Sequence, residues 1–499
     1  MNVRRGVVIP SAAAIGALLL WTVVDGSGAA RWIGAALTWT AATFGWFYTL
    51  AVLVYLVFVV ALAASRFGRI RLGPPDSRPE FPLLSWAAML FAAGIGIDLL
   101  FFCVAEPLSH YLRPPRGDGE TVAAARQALQ LTFLHWGVSG WGVYTLVGMA
   151  LGYFSFRRGL PLSVRSALQP LLGDRARGPL GDAVDVAAVL ATVFGLATSL
   201  GIGILQLNYA LTDRFGIPQN ALVQGALALL IVAFAGVSAA LGVERGIRRL
   251  SEFNMLLAVG FLLFVLLAGD SLFLINALLM NVGDYLGNFV ELSLDTYAFD
   301  APTGWLNSWT LFFWAWWIAW GPFVGLFLAR ISRGRTIRSF VIGTLTLPLA
   351  FMMAWMSILG NSAIELQMAG LTELGDAALG DPGAGIYLLL QELPWPGLSA
   401  VVVTVLAVVF FVTSGDSGAL VLADFTSGPD DRIDAPVPLR LTWAAVVGAL
   451  AAALLGAGGL HTLQSAVVVM GLPFAVILLL MAWCLYRALR EEPPNSAGE

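Results

Sequence analysis

The run Ala92-Ala93-Gly94-Ile95-Gly96-Ile97-Asp98-Leu99-Leu100-Phe101-Phe102-Cys103-Val104 decides how this chain is read. It sits in an apolar stretch from Phe81 to Val104, long enough to cross a bilayer. A helix there has two reasons to loosen, because each glycine forfeits roughly 1 kcal/mol relative to alanine. Backbone groups freed within a membrane survive only where protein or a water-filled cavity meets them. Close helix packing would account for the glycines alone. It does not account for Asp98, since an acid at that depth is costly and marks a functional site.

Composition places the rest of the chain in the same class. With 59% hydrophobic and 12% charged residues, it is far from the soluble average of about a quarter charged, and an integral membrane protein is expected. Met1-Asn2-Val3-Arg4-Arg5 leads into an apolar run from Val7 to Val24, read as a retained first helix. Twelve runs have spanning length and composition: 7–25, 44–64, 83–105, 131–155, 184–212, 220–241, 253–275, 305–329, 338–360, 397–422, 440–458 and 463–487. The stretch 276–294 carries Asp284 and Glu291 and is expected to lie along the membrane interface. No soluble domain is expected, only short loops and a tail of 490–499.

All 27 basic side chains are arginine, so lysine Schiff-base chemistry is excluded. All but Arg31, Arg113, Arg116, Arg126 and Arg214 fall at the N-terminus or after even-numbered runs. Arginines stay on the cytoplasmic side, which predicts cytoplasmic termini and a multi-pass protein of the inner (plasma) membrane. Cys103 and Cys484 lie in separate apolar runs, offering neither a disulfide framework nor a thiolate metal site. No cofactor is expected, and no nucleic-acid partner.

Two further segments carry dense aromatic side chains. In His135-Trp136-Gly137-Val138-Ser139-Gly140-Trp141-Gly142-Val143-Tyr144, residues Trp136, Gly140 and Tyr144 repeat at spacings of four, with Trp141 nearby. In Trp314-Ala315-Trp316-Trp317-Ile318-Ala319-Trp320, the last three tryptophans cluster. Single tryptophans usually belong to interfacial belts, but three within five mid-helix residues do not fit one. Ring faces recognise quaternary ammonium groups, which have no hydrogen-bond donors. Thr413-Ser414-Gly415-Asp416-Ser417 supplies hydroxyls that can ligate Na⁺ or bond back to their own helix. Thr192, Thr198 and Ser199 leave the same two options open.

Taken together with Val104-Ala105-Glu106-Pro107, Ala191-Thr192-Val193-Phe194-Gly195 and Arg330-Ile331-Ser332-Arg333-Gly334-Arg335, these segments resemble the betaine/carnitine/choline transporters. The resemblance implies an all-α fold of twelve transmembrane helices. Two inverted five-helix repeats of the LeuT-like type would span 81–275 and 305–489, preceded by two extra helices in 1–80 and joined by an interfacial helix and linker in 276–304. It also implies a homotrimer in membrane lipid and alternating access around a central site. By motif position, Trp136, Trp141, Tyr144, Trp316, Trp317 and Trp320 would bind substrate. Ala92, Ile95, Phe410, Thr413 and Ser414 match the surroundings of the sodium site in the Na⁺-coupled members.

One departure points to a subtype. Gly94-Ile95-Gly96-Ile97-Asp98 is similar to the proton-coupled choline transporters, where betaine symporters carry a final glycine. Betaine brings its own carboxylate, whereas choline brings a net charge that needs a countercharge in a low-dielectric site. Asp98 would be both that countercharge and the proton carrier. The resulting expectation is proton-coupled choline uptake serving osmoprotection, with a Na⁺-coupled betaine or choline symporter as the alternative. Osmotic sensing is not expected, because the tail carries no long charged extension. A cation channel is disfavoured because the acid occurs once per chain. An enzyme is disfavoured because the three histidines form no His-Glu-x-x-His and Ser139 has no base partner.

Overall fold

A computed structural model describes residues 3–94, 96–241, 244–428 and 435–493. The chain is α-helical, and among the described residues the extended backbone pairs only at two isolated bridges, Val3 with Ser427 and Arg71 with Thr336. The principal helices are α1 (Arg5–Val24), α2 (Gly26–Ala64), α3 (Leu83–Gly94), α4 (Ile97–Leu112), α5 (Val122–Trp136), α6 (Val138–Gly152) and α7 (Pro179–Phe215). They continue as α8 (Ala221–Leu241), α9 (Glu244–Ala268), α10 (Ser271–Leu294), α11 (Thr303–Ser308), α12 (Thr310–Ile331), α13 (Ile337–Met368), α14 (Pro396–Thr426) and α15 (Val437–Arg490).

Every apolar run of the sequence is helical, yet several are interrupted where glycines stand. The run 83–105 breaks between α3 and α4, and Gly96 takes extended angles of φ −135° and ψ 179°. The run 131–155 breaks at Gly137, with ψ −154°. The last two runs join in α15 across a kink at Gly458 and Gly459, where φ of 69° at Gly459 requires glycine. Seven described helical segments, α11 and α12 counted together, are long and apolar enough to cross a membrane, or eight if the bent pair α9 and α10 counts as one.

Two boundaries differ from the sequence reading. Helix α2 begins at Gly26, far before residue 44, because Asp25 caps it by accepting from Gly28 N at 2.8 Å and the alanine-rich start propagates helix despite Arg31. The helix expected along the interface starts at Ser271 under an Asp270 cap on Phe273 N, at a 114° bend from the preceding helix. Its inward stripe is Leu274, Ala277, Asn281 and Tyr285, and Asn281 Nδ2 donates to Ser357 Oγ of α13 at 2.9 Å.

Buried polar groups fix the packing register. Tyr48 and Tyr55 of α2 donate to the carbonyls of Val468 and Ala475 of α15, both at 2.6 Å. At the arginine-rich end, Arg157 grips Glu492 through Nε and Nη2 at 2.9 and 2.7 Å, and the Tyr153 hydroxyl donates to the same carboxylate at 2.9 Å. The Arg157 guanidinium holds the Glu492 carboxyl below its ordinary value of 4.5. A depressed acid contributes stability that is present above its unfolded value and lost as pH falls through the folded one. Glu492→Gln is therefore expected to lower stability by about 1.5–3 kcal/mol at neutral pH, read as a drop in Tm of the detergent-solubilised protein. The gap to wild type should narrow below about pH 4.5.

Candidate functional site

The break at Gly94–Gly96 turns the middle of a spanning segment into the start of a helix. Asp98 lies in the first turn of α4, where orphan backbone N–H groups and the helix dipole favour a negative charge. The side chain is buried, with 6% exposure, and its Oδ1 has no hydrogen-bond partner. The Ser199 hydroxyl of α7 interacts with the carboxylate but falls short of a hydrogen bond. The Tyr144 phenol of α6 is close enough to interact with its charge. No arginine among the described residues reaches it.

From α4 the site grows in steps of four residues. Asp98, Phe102, Glu106 and His110 follow one another along one side of the helix, each turned only about 40° from the last. Phe102 packs against Trp136 at 5.9 Å, Phe313 at 5.5 Å and Trp316 at 6.1 Å. Glu106 Oε2 accepts from the Trp136 indole at 2.7 Å.

The tryptophans of α12 meet three different partners. Trp316 stacks on Phe312 at 5.2 Å and meets Trp136 edge-on at 6.1 Å. Trp317 turns to α6, 4.8 Å from Tyr144 and 6.3 Å from Trp141, and its indole N–H donates to His135 O at 2.8 Å. Trp320 packs on Phe323 at 5.2 Å and on Gly195 of α7, one turn before Ser199. The structure thus brings Trp136, Trp141, Tyr144, Trp316 and Trp317 into one buried ring cluster; Asp98 is within electrostatic range of Tyr144, and the described contacts of Trp320 are with Phe323 and Gly195 rather than with these rings. These rings touch one another, and a cation needs its centre within about 6 Å of each face it uses. Admitting one between Tyr144 and Trp317 requires α6 and α12 to part.

Gly140 is what seats Trp317. A Cβ there would stand 2.3 Å from the indole ring. The spacing of four that aligned Trp136, Gly140 and Tyr144 places the glycine correctly, although Gly137 interrupts the helix and puts Trp136 at the end of α5.

The residues matched to a sodium site divide. Ile95 lies outside the described residues, and Ala92 is in α3 without a described side chain. On α14, Phe410 is buried and the Thr413 hydroxyl donates back to Val409 O at 2.8 Å, which leaves its lone pairs free. Ser414 is half-buried one residue on.

Sequence reasoning missed Phe102, Glu106, His110, His135 and Thr310. Glu106, His110 and His135 hold their polar atoms within 4.8 Å of one another in full burial. The Trp305 indole donates to His110 Nδ1 at 3.1 Å, so neutral His110 keeps its proton on Nε2, the nitrogen 3.4 Å from Glu106 Oε1. That nitrogen has no lone pair for a metal, and metal-binding histidines donate through their other nitrogen instead. The signal for the group was the four-residue spacing from Asp98.

Gly140→Ala is expected to displace the Trp317 ring and cost about 1–3 kcal/mol by overpacking. Near-ultraviolet circular dichroism should change shape and thermal unfolding should shift down.

A model of the "BCCT, betaine/carnitine/choline family transporter" matches residues 6–494. The high-affinity choline transport protein of Escherichia coli K12 is 52% identical over 474 residues, covering 95% of this chain and 70% of that one. The osmo-dependent choline transporter BetT2 of Acinetobacter baylyi is 51% identical over 499 residues, covering 100% of this chain and 73% of that one. The glycine betaine transporter OpuD of Bacillus subtilis is 41% identical over 478 residues, covering 95% and 92% respectively. Together with an α-helical fold of apolar spans built around a cluster of indoles, these matches identify the chain as a member of the betaine/carnitine/choline transporter family, a membrane transporter and not an enzyme.

Proposed function

We propose that this protein takes up choline by proton-coupled alternating access, with Asp98 as countercharge and proton carrier and Trp136, Trp141, Tyr144, Trp316, Trp317 and Trp320 as the cation's aromatic surroundings. The observation that carries the reading is Asp98 itself: buried, at a helix start, with one carboxylate oxygen unpartnered, no described arginine in reach and the Tyr144 phenol within electrostatic range. A zwitterion such as betaine would meet that carboxylate with its own, whereas a cationic headgroup supplies the charge the site lacks. Cation–π attraction adds of order 0.5–2 kcal/mol per good contact. The names of the E. coli and A. baylyi relatives point to the same substrate.

Proton linkage follows from the same geometry. Burial opposes the charged acid and a bound cation favours it, so proton and choline each alter the other's binding. A carboxylate that admits choline by releasing a proton would by itself favour exchange, so uptake with a proton requires that the order of loading and opening be set elsewhere in the cycle. In this reading the two repeats, 81–275 and 305–489, rock about the ring cluster, and the arginine-rich end with both termini faces the cytoplasm.

In proteoliposomes without Na⁺, an imposed pH gradient should drive choline uptake. Asp98→Gly should weaken choline binding about tenfold or more, equal to about 1.4 kcal/mol, and remove the gradient dependence. Absence of uptake in the wild type, or an undiminished gradient response in the variant, defeats the proton role.

Thr413 and Ser414 support a Na⁺-coupled alternative, and Thr413→Val separates the two. Under proton coupling, uptake should change less than about twofold and ignore Na⁺. A Na⁺-dependent rate that falls about tenfold or more in this variant would favour the sodium reading.

A further inference from the structure

Beyond Asp98 lies a second ionisable group that the mechanism above does not use. Glu106, His110 and His135 each have 0% exposure. Glu106 Oε1 is 2.6 Å from His135 Nδ1, and His135 Nε2 is 2.9 Å from the Thr310 hydroxyl at the start of α12. His110 Nε2 points at the same carboxylate oxygen from 3.4 Å and has no hydrogen-bond partner. Walls of Trp305, Trp309 and Phe313 close around the two imidazoles.

Charge counting shows what this group lacks. With both imidazoles neutral and Glu106 ionised, the cluster holds one net negative charge in an apolar surround. The ionisable side chains on the elements packed around it do not balance it. Arg126 of α5 pairs with Asp284, and Arg330 of α12 pairs with Asp424. Tyr297 lies tilted against Trp305 under the Arg116 guanidinium, which itself pairs with Asp295 and Asp300. Glu365 of α13 is only half-buried, Arg338 of the same helix is exposed, and Glu373 and Asp376 in the short helix Glu373–Gly380 are exposed. None of these contacts Glu106, His110 or His135 among the interactions described. One proton restores neutrality.

We propose that Glu106 and His135, backed by His110 and bridged to Thr310, form a second proton-binding site coupled to the aromatic cluster through Trp136. The hydrogen bonds accommodate the proton without breaking. In the empty state His135 Nδ1–H donates to the Glu106 carboxylate, and the Thr310 hydroxyl donates to Nε2. In the loaded state the added proton is on Glu106, which donates it to Nδ1; the ring hydrogen has moved from Nδ1 to Nε2, and Thr310 turns to accept it. Thr310 belongs to the 305–489 segment and the other three groups to 81–275, so the proton changes a bond between the two halves.

Its effect reaches the substrate rings by two short links. Glu106 Oε2 accepts from the Trp136 indole, and the His135 carbonyl accepts from Trp317. A bond to an ionised acceptor is roughly twice as strong as a neutral one, so loading the proton loosens the hold on Trp136. Asp98 lies two steps of four down the same helix, about 12 Å away at 1.5 Å per residue. This inference rests on the transport reading and adds a site to it.

Two measurements on the full-length purified protein decide it. Infrared difference spectra across a pH titration, without choline, should show carboxyl or imidazole bands that persist in Asp98→Asn and disappear in Glu106→Gln or His135→Gln. Glutamine at 106 keeps an acceptor for Trp136, so a merely structural role would leave this titration in place. In Asp98→Asn, the Kd for choline should still change about fivefold or more between about pH 5 and pH 8, and adding Glu106→Gln should flatten it. Bands unaltered in both cluster variants, or a pH profile unaltered by Glu106→Gln, overturn the site. Because the infrared titration needs no substrate, its failure is distinct from absent choline uptake, which would sink the transport reading instead.

Discussion

An ionised carboxylate in the middle of a membrane must find substitutes for the water it has lost. Here the substitute is backbone. By ending α3 at Gly94 and restarting the helix at Ile97, the chain exposes a fresh set of N–H groups beside Asp98 and directs the helix dipole toward it. The glycines and the acid are two halves of one device, since an unbroken helix would leave that carboxylate against sealed peptide groups. The compensation is partial, since one carboxylate oxygen is left without a partner in a buried setting.

The aromatic cluster is assembled on the same economy of contacts. Indole N–H groups are tied away from the ring faces: Trp136 to Glu106, Trp317 to the His135 carbonyl, and Trp141 to the Met352 sulfur at 3.1 Å. Such ties fix ring orientation and leave the π surfaces to face one another or a ligand. Trp314, Trp316 and Trp320 have buried indole nitrogens without a partner, so the cluster mixes anchored rings with rings held by packing alone. The anchored ones lie where α4, α5, α6 and α12 converge.

Much of this was legible in the residues. Spanning runs stand out because lipid demands about 20 apolar residues in succession, and the buried acid stands out because nothing else explains its cost. The rings were legible as a group because tryptophans crowd two short segments. What the sequence hid was of two kinds. Helix interruptions at Gly137 and Gly269 look like ordinary packing glycines until the tertiary contacts are known, as when Tyr285 of α10 comes up against Gly137. The Glu106, His110 and His135 group was visible only as a family motif and two lone histidines, because a hydrogen bond between residues 29 positions apart leaves no local signature. The spacing of Asp98, Phe102, Glu106 and His110 was present throughout, but periodicity alone does not say which side of a fully buried helix matters.

The phenols of Tyr48 and Tyr55 are seven residues apart, and so are the carbonyls they meet on α15. Two pegs at equal pitch mean that sliding either helix by a turn would leave both hydroxyls stranded together. α2 and the C-terminal half of α15 are thereby riveted into a single stave. Both helices also pack against α6 and α12, so the ring-bearing pair rests on a frame whose register is pinned.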